Sequence, residues 1–218
     1  MIASTKPADH LLLEGLPSVV RALAARGAIR RYRAGVNLID EGDAGDATFV
    51  ILSGTVRIFC ADDAGKEITL ALYGPGEYVG EMSLDGGPRS ASVSTETACV
   101  CALISGATLR EHVATHPDFA LELIQRLIRR TRLATESARS LALLDAYGRL
   151  TRLFDTLAAT APDGTRVIKE HFTHLAISKH IGCSRELVSR ILKDLETGGY
   201  LMQKDRRYVL LKILPSKW

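Results

Sequence analysis

Between Asp118 and Leu144 the chain carries neither glycine nor proline. Such a run can wind into about seven turns of uninterrupted helix, and His116-Pro117 ahead of it places a proline suited to a first helical turn. Within the run Ile124, Ile128, Thr131, Thr135, Ala138 and Ala142 fall at alternating spacings of four and three. That is a coiled-coil seam, and a seam needs a partner helix. The alternative is a helix packed on its own domain. Leu121, Leu123, Leu127 and Leu133 offer a second stripe that can face inward, which leaves the seam free for a dimer.

The long run also divides the chain. From Ala28 to Ser105 short β-rich stretches recur at Asn37–Ile39, Thr48–Leu52, Thr55–Cys60, Ile68–Tyr73, Ser90–Ser94 and Cys99–Ser105, separated by glycine turns, as in an all-β sandwich, barrel or roll. A helical segment, Leu11 to Arg26, precedes them and is broken by Pro17. Beyond the run, Asp145 is read as the cap of a helix from Ala146 to Ala159, followed by a loop at Ala161-Pro162-Asp163-Gly164. Thr173 to Thr197 reads as helix–turn–helix: Thr173 caps the first helix, Gly182 makes the turn, Ser184 caps the second, and Gly198-Gly199 ends it. Tyr200 to Ile213 alternates as two strands around Lys204-Asp205-Arg206, a wing. The fold class is therefore α+β, with domains expected at 1–116, 117–144 and 145–218.

Charge separates the same parts. Residues 145–218 carry a balance of +5 and residues 1–144 one of −2, so the smaller part suits a polyanion. No apolar stretch approaches the roughly 18 residues of a membrane span. Met1 to His10 lacks the pattern of a secretory signal, and four cysteines are too few for a disulfide scaffold, so a reducing cytoplasm is expected.

The densest chemistry lies in Gly80-Glu81-Met82-Ser83-Leu84-Asp85-Gly86-Gly87-Pro88-Arg89-Ser90-Ala91. A short turn between glycines can aim backbone N–H groups at an anion, and an arginine adds a permanently charged fork for phosphate oxygens. Ser90 adds a hydroxyl, and Glu81 is an acceptor suited to a sugar hydroxyl. The alternative for Glu81 and Arg89 is an ion pair with each other and no ligand.

Gly-Glu-Met-Ser followed by Pro-Arg-Ser-Ala resembles the phosphate cassette of cyclic-nucleotide-binding domains, and Gly35, Gly42, Gly54 and Gly65 fit the glycine framework of that β-roll. With the long helix and the winged helix, the resemblance is to the Crp–Fnr transcription regulators over about residues 28–213, closest to the cyclic AMP receptor protein branch. It implies a cyclic nucleotide, cyclic AMP first, as effector. Gly80 would offer its amide, Glu81 would accept the ribose 2′-hydroxyl, and Arg89 and Ser90 would hold the cyclic phosphate beside Met82, Ser83 and Ala91. It also implies a homodimer, double-stranded DNA and RNA polymerase as partners. The chain departs from that branch where a Thr-Ser pair meets the adenine: here stand Ala134 and Thr135, and only Thr135 can hydrogen-bond. Cyclic GMP or another nucleotide therefore stays open. A nucleotide bridging Arg89 to Thr135 would tie the roll to the long helix and set two recognition helices about 34 Å apart.

In the second helix of the helix–turn–helix, Leu187, Val188, Ile191, Leu192 and Leu195 form a buried stripe, leaving Arg185, Glu186, Ser189, Arg190 and Lys193 on the exposed side. Arginine can pair bidentately with guanine and glutamate can accept from cytosine N4. The resemblance implies a palindromic, TGTGA-like site read by Arg185, Glu186 and Arg190, with Thr173 and Ser184 on phosphates. The alternative for these charges is a solvated face. His180 stands where the family has an apolar residue and is read as a partly buried, hydrogen-bonded histidine.

Cys99 and Cys101, two apart on a strand, are read as core, and Arg30-Arg31 with Arg33 as a solvated edge. The histidines show no ligand spacing, and neither a metal set nor an enzyme's acid–base or nucleophile arrangement is visible. Two rivals remain: a family member whose roll is empty or differently liganded and which binds DNA constitutively, and a nucleotide-binding module that acts on a protein partner.

Overall fold

The computed structural model describes residues 7–161, 165–168 and 171–215, the side chains of residues 7–9 and of Ser83 excepted. They form two compact units. One comprises the chain up to Ala64 with Thr69–Arg132, the other Gly65–Ile68 with the chain from Leu133 onward. The divide falls inside the long helix rather than at either end of it.

The first unit opens with α1 (Pro7–Glu14) and α2 (Ser18–Ala24), on either side of Pro17 as the sequence requires. Two four-stranded sheets follow. One has the order β1 (Ala28–Tyr32), β8 (Cys99–Ile104), β3 (Thr48–Ser53) and β6 (Tyr78–Val79). The other has the order β2 (Asn37–Ile39), β7 (Ser92–Thr95), β4 (Val56–Ala61) and β5 (Glu67–Tyr73). β3 lies between two neighbours and is buried from Thr48 to Leu52, which its continuous run of apolar residues anticipates. β1 is an edge strand with Arg30 and Arg31 exposed, and edge charges discourage pairing with another chain. Cys99 and Cys101 are core residues packed with Ile39, Phe49, Ile51 and Val93, and burial pushes the Cys101 thiol up to about 12, which makes it inert at neutral pH. A second core joins Val20 and Leu23 to Tyr78, Ile104 and Leu109.

Four elements of this unit lie outside the sequence reading: β1, β6, the 3-10 helix Glu81–Asp85 and α3 (Gly106–Thr115), the last capped by Ser105 accepting from the Thr108 amide at 3.2 Å. The long helix, α4, runs Pro117–Leu143 as expected. Its inward face does not follow the leucines. Of the four assigned to it, Leu123 alone is buried, while Leu121, Leu127 and Leu133 are 56%, 36% and 62% exposed. Phe119, Leu123 and Arg126 make that face, at spacings of four and three, because Arg126 lies across an aromatic ring and its charge is paired there.

The second unit holds α5 (Ala146–Leu157), α6 (His174–Ile181) and α7 (Arg185–Thr197) against a sheet of order β11 (Leu201–Lys204), β12 (Arg207–Leu210), β10 (Arg166–Ile168) and β9 (Ala158–Thr160). Asp145 caps α5 by accepting from the Gly148 amide at 2.7 Å. The helix stops at Leu157, short of the expected Ala159, because Ala158–Thr160 pairs with β10 and sheet hydrogen bonds override the helical preference of alanine. Of the loop expected at 161–164, Ala161 alone is described. Leu150, Phe154, Ile168, Ile177 and Leu192 centre the core. β11 and β12 form the wing, and their turn puts two non-glycine residues, Asp205 (φ 51°) and Arg206 (φ 61°), in the left-handed region.

Candidate functional site

The cassette begins where β6 ends. Gly80 turns the chain with φ 89°, and a Cβ there would stand 2.6 Å from the Ala47 carbonyl oxygen and 2.8 Å from an Arg89 guanidinium nitrogen, so no other residue fits unstrained. The turn delivers residues 81–85 into a short 3-10 helix. Arg89 is 9% exposed and reaches back to the start of this turn, donating from Nη1 to Gly80 O at 2.9 Å and from Nη2 to Ala47 O at 2.8 Å. Its own backbone is fixed by bonds to Asp43 and Gly42. Burial lowers the Arg89 pKa, opposed by the charges of Asp46 and Glu81, and a guanidinium so placed keeps its charge.

Glu81 is buried, and its carboxylate accepts from Arg130 Nη1 at 2.6 Å. Ser90 is exposed and donates to the Met82 sulfur at 3.4 Å, Met82 is exposed, and Ala91 is half-buried. The Ser83 side chain lies outside the described residues. The fold thus brings Gly80, Glu81, Met82, Arg89 and Ser90 to one turn. Thr135 is exposed on α4 in the other compact unit, and a role toward the base is what the resemblance alone implies for it.

Two arginines that sequence reasoning missed stand behind the cassette: Arg130 holds its acid in place, and Arg126 braces the strand before it. Arg130 pairs with Glu81, donates to Tyr78 O at 2.7 Å, lies 3.3 Å from Glu77 and stacks 4.4 Å over the Tyr73 ring. Arg126, one helical turn earlier, pairs with Glu122 and lies 4.4 Å over the Tyr78 ring. Tyr78 donates its hydroxyl to Glu122 at 2.8 Å, and burial followed by that carboxylate drives its pKa upward, so it stays a donor. The signal was available: Phe119, Leu123, Arg126 and Arg130 recur at spacings of four, three and four.

In the second unit Thr173 caps α6 by accepting from the Ala176 amide at 3.1 Å, and Ser184 caps α7 by accepting from the Leu187 amide at 3.2 Å. Gly182 ends α6 in the left-handed conformation that a C-terminal cap needs. Val188, Ile191, Leu192 and Leu195 face the core, with Leu187 half-buried at the margin. Arg185, Glu186, Arg190 and Lys193 are exposed. Ser189 departs from its expected place on the open face. It is half-buried, donates to the Arg185 carbonyl at 3.0 Å and meets His174 Nδ1 at 2.7 Å. With the hydroxyl hydrogen on that carbonyl, the serine oxygen accepts from Nδ1–H, which ties α6 to the first turn of α7. His180 is half-buried and meets Phe172 edge-on at 5.3 Å between ring centroids.

Residues 29–116 match the cyclic nucleotide-binding domain family, and residues 148–214 match the Crp-like helix-turn-helix domain family. The cAMP-activated global transcriptional regulator CRP of Salmonella typhimurium is 35% identical over 189 residues, covering 84% of this chain and 89% of that protein. The cAMP-activated global transcriptional regulator Vfr of Pseudomonas aeruginosa is 34% identical over 191 residues, covering 83% and 88%. Among solved structures, that of the c-di-GMP responsive global regulator CLP of Xanthomonas campestris aligns with a TM-score of 0.77 at 28% identity, over 88% of this chain and 97% of the other. These relatives are regulators, not enzymes, and among the described residues no helix is long and apolar enough to cross a membrane. With a nucleotide-binding roll at one end and a DNA-binding helix–turn–helix at the other, matched to such relatives over most of its length, the chain belongs to the Crp–Fnr family of transcription regulators.

Proposed function

We propose that this chain is a cytoplasmic, homodimeric regulator that binds cyclic AMP in the Gly80–Ala91 cassette and, when loaded, reads a palindromic TGTGA-like site. The observation that carries the reading is the turn at Gly80, where a buried carboxylate (Glu81) and a buried guanidinium (Arg89) stand on either side of a left-handed glycine. In this reading Glu81 takes the ribose hydroxyl, Arg89 and Ser90 take the cyclic phosphate, and Thr135 supplies the polar contact for the base. Residues 1–116 hold the nucleotide, 117–144 the dimer interface and 145–218 the DNA, with RNA polymerase as the further partner.

Support for the dimer comes from α4. Leu121, Ile124 and Ile128 are 56%, 53% and 47% exposed at spacings of three and four, and Thr131, Thr135, Ala138 and Ala142 continue the line in the open. A second copy of the helix is the simplest cover for such a stripe. On α7, Arg185 and Glu186 stand in the first turn with Arg190 and Lys193 behind them, as base and phosphate contacts require.

Ala134 and the c-di-GMP responsive neighbour favour a second reading, in which the effector is a different cyclic nucleotide. Calorimetric titration with cyclic AMP, cyclic GMP and cyclic di-GMP separates the two. Cyclic AMP is expected to give the tightest binding, and Arg89→Leu to abolish it while the protein stays folded. Binding unchanged in that variant overturns the site, and a mobility shift on DNA that is equal with and without nucleotide supports the constitutive rival.

A further inference from the structure

By helical period Ser189 belongs to the face of α7 that carries Arg185 one turn before it and Lys193 one turn after, both exposed. Ser189 itself is half-buried, and its hydroxyl is engaged twice within the chain. It donates to the Arg185 carbonyl at 3.0 Å and lies 2.7 Å from Nδ1 of His174, the half-buried first residue of α6. A hydroxyl has one hydrogen to give, so with that hydrogen on the carbonyl the imidazole donates from Nδ1. The result is a directed chain, imidazole N–H to hydroxyl to peptide carbonyl, in which each bond polarises the next. A base acceptor could take the Ser189 hydrogen only by breaking it.

The two helices have other means of holding together. Ile177, Ile181, Val188, Ile191 and Leu192 share one core, and the Ser184 cap closes the start of α7. What the chain of bonds adds is direction. It ends on the peptide of Arg185, in a first turn whose N–H groups have no intrahelical partners and which frays most readily. A guanidinium that pairs bidentately with a base must approach in one plane, and fixing its turn before DNA arrives spares binding that ordering cost. The tautomer that makes the chain leaves a lone pair on Nε2, which attracts no phosphate oxygen. The ring is therefore suited to place Arg185 rather than to touch the DNA backbone.

We propose that His174 is a positioning residue that sets DNA specificity: through Ser189 it holds the Arg185 peptide so that the guanidinium points at the base it reads. This rests on the reading of α7 as the base-contacting helix. The test uses the full chain with cyclic AMP and a duplex that the parent selects from a random pool, so it does not depend on the site being TGTGA-like. His174→Leu and Ser189→Ala should each lower the preference for that duplex over random DNA about 2- to 10-fold, the range of one neutral hydrogen bond, and together no more than either alone. Ser189→Ala carries the test if His174→Leu folds poorly. His174→Asn, which keeps an N–H donor near the Nδ1 position, should restore the preference. In an Arg185→Ala background His174→Leu should change it no further. Nitrogen NMR at about pH 8.5, where free imidazole is uncharged, should find the His174 hydrogen on Nδ1. A hydrogen on Nε2, an equal loss on random DNA, or a full effect without Arg185 overturns the proposal. A parent that selects no sequence sinks the reading of α7 and the proposal with it.

Discussion

Arg130→Met removes the charge that faces Glu81 while keeping an unbranched apolar stem beside Tyr73. The parent arginine pairs with Glu81 at 2.6 Å, lies 3.3 Å from Glu77 and donates to Tyr78 O at 2.7 Å. The Glu81 side chain is only 3% exposed, so the substitution strands a carboxylate away from water. Breaking one side of a buried pair costs about 3–5 kcal/mol. Arg130 is itself 18% exposed, and among the described residues the buried Nε of the same guanidinium has no hydrogen-bond partner, so the lower end, about 3 kcal/mol, is expected. Adding Glu81→Gln to this variant removes the stranded charge and should recover about 2 kcal/mol, whereas Glu81→Gln alone should destabilise. Urea unfolding at one fixed protein concentration measures all four corners of the cycle, since dimerisation would otherwise mix into the result. A coupling below about 0.5 kcal/mol would refute the view that Arg130 holds the cassette's acid.

Three further outcomes are expected. Arg185→Ala should cost about 1–3 kcal/mol per half-site on the preferred DNA and relax discrimination there; an equal loss on random DNA in a competition assay would make Arg185 a phosphate contact. Ile124→Glu with Ile128→Glu should leave the circular dichroism unchanged and yield a monomer in sedimentation, because both side chains are about half exposed in the single chain, and a persistent dimer would move the interface elsewhere. Burial depresses the His112 pKa in the folded chain, so the unfolded state binds the proton first and stability should fall as pH drops below about 6.5. His112→Leu should flatten that limb of the stability–pH curve, and an unaltered slope in urea titrations assigns it to other groups.

Much of the architecture was legible because local chemistry and tertiary position agree. Asp145, Thr173 and Ser184 are capping residues by type and cap in fact. The Asp118–Leu144 run lacks any breaker and forms one helix, and the helix–turn–helix follows its glycine and serine punctuation. What failed did so where a neighbour outweighs intrinsic preference. Two of the three residues of β9 are alanines that would sooner be helical, and β6 is two residues long, below any periodic signal. The inner face of α4 was assigned to leucines as the stripe left over beside the seam, although arginine rarely goes inside. Arg126 does, since aromatic rings and carboxylates surround it, and those partners lie about fifty residues away in sequence as well as one turn away. The positions of Glu81 and Arg89 could be read from the cassette, whereas the partner of Glu81 required the fold. Ser189 was placed on the open face by helical period alone, and the histidine that draws it inward sits on another helix.

The wing tip has a consequence of its own. Asp205 and Arg206 both hold a backbone twist that side-chain-bearing residues adopt at a cost of about 1–2 kcal/mol each, where asparagine and glycine would sit at ease. Two strands so joined coil tightly enough to project Lys204, Arg206 and Arg207 from a narrow hairpin end. Relaxing the second position alone with glycine would firm up the domain and at the same stroke delete a cation, so robustness and hold on a polyelectrolyte pull this hairpin in opposite directions.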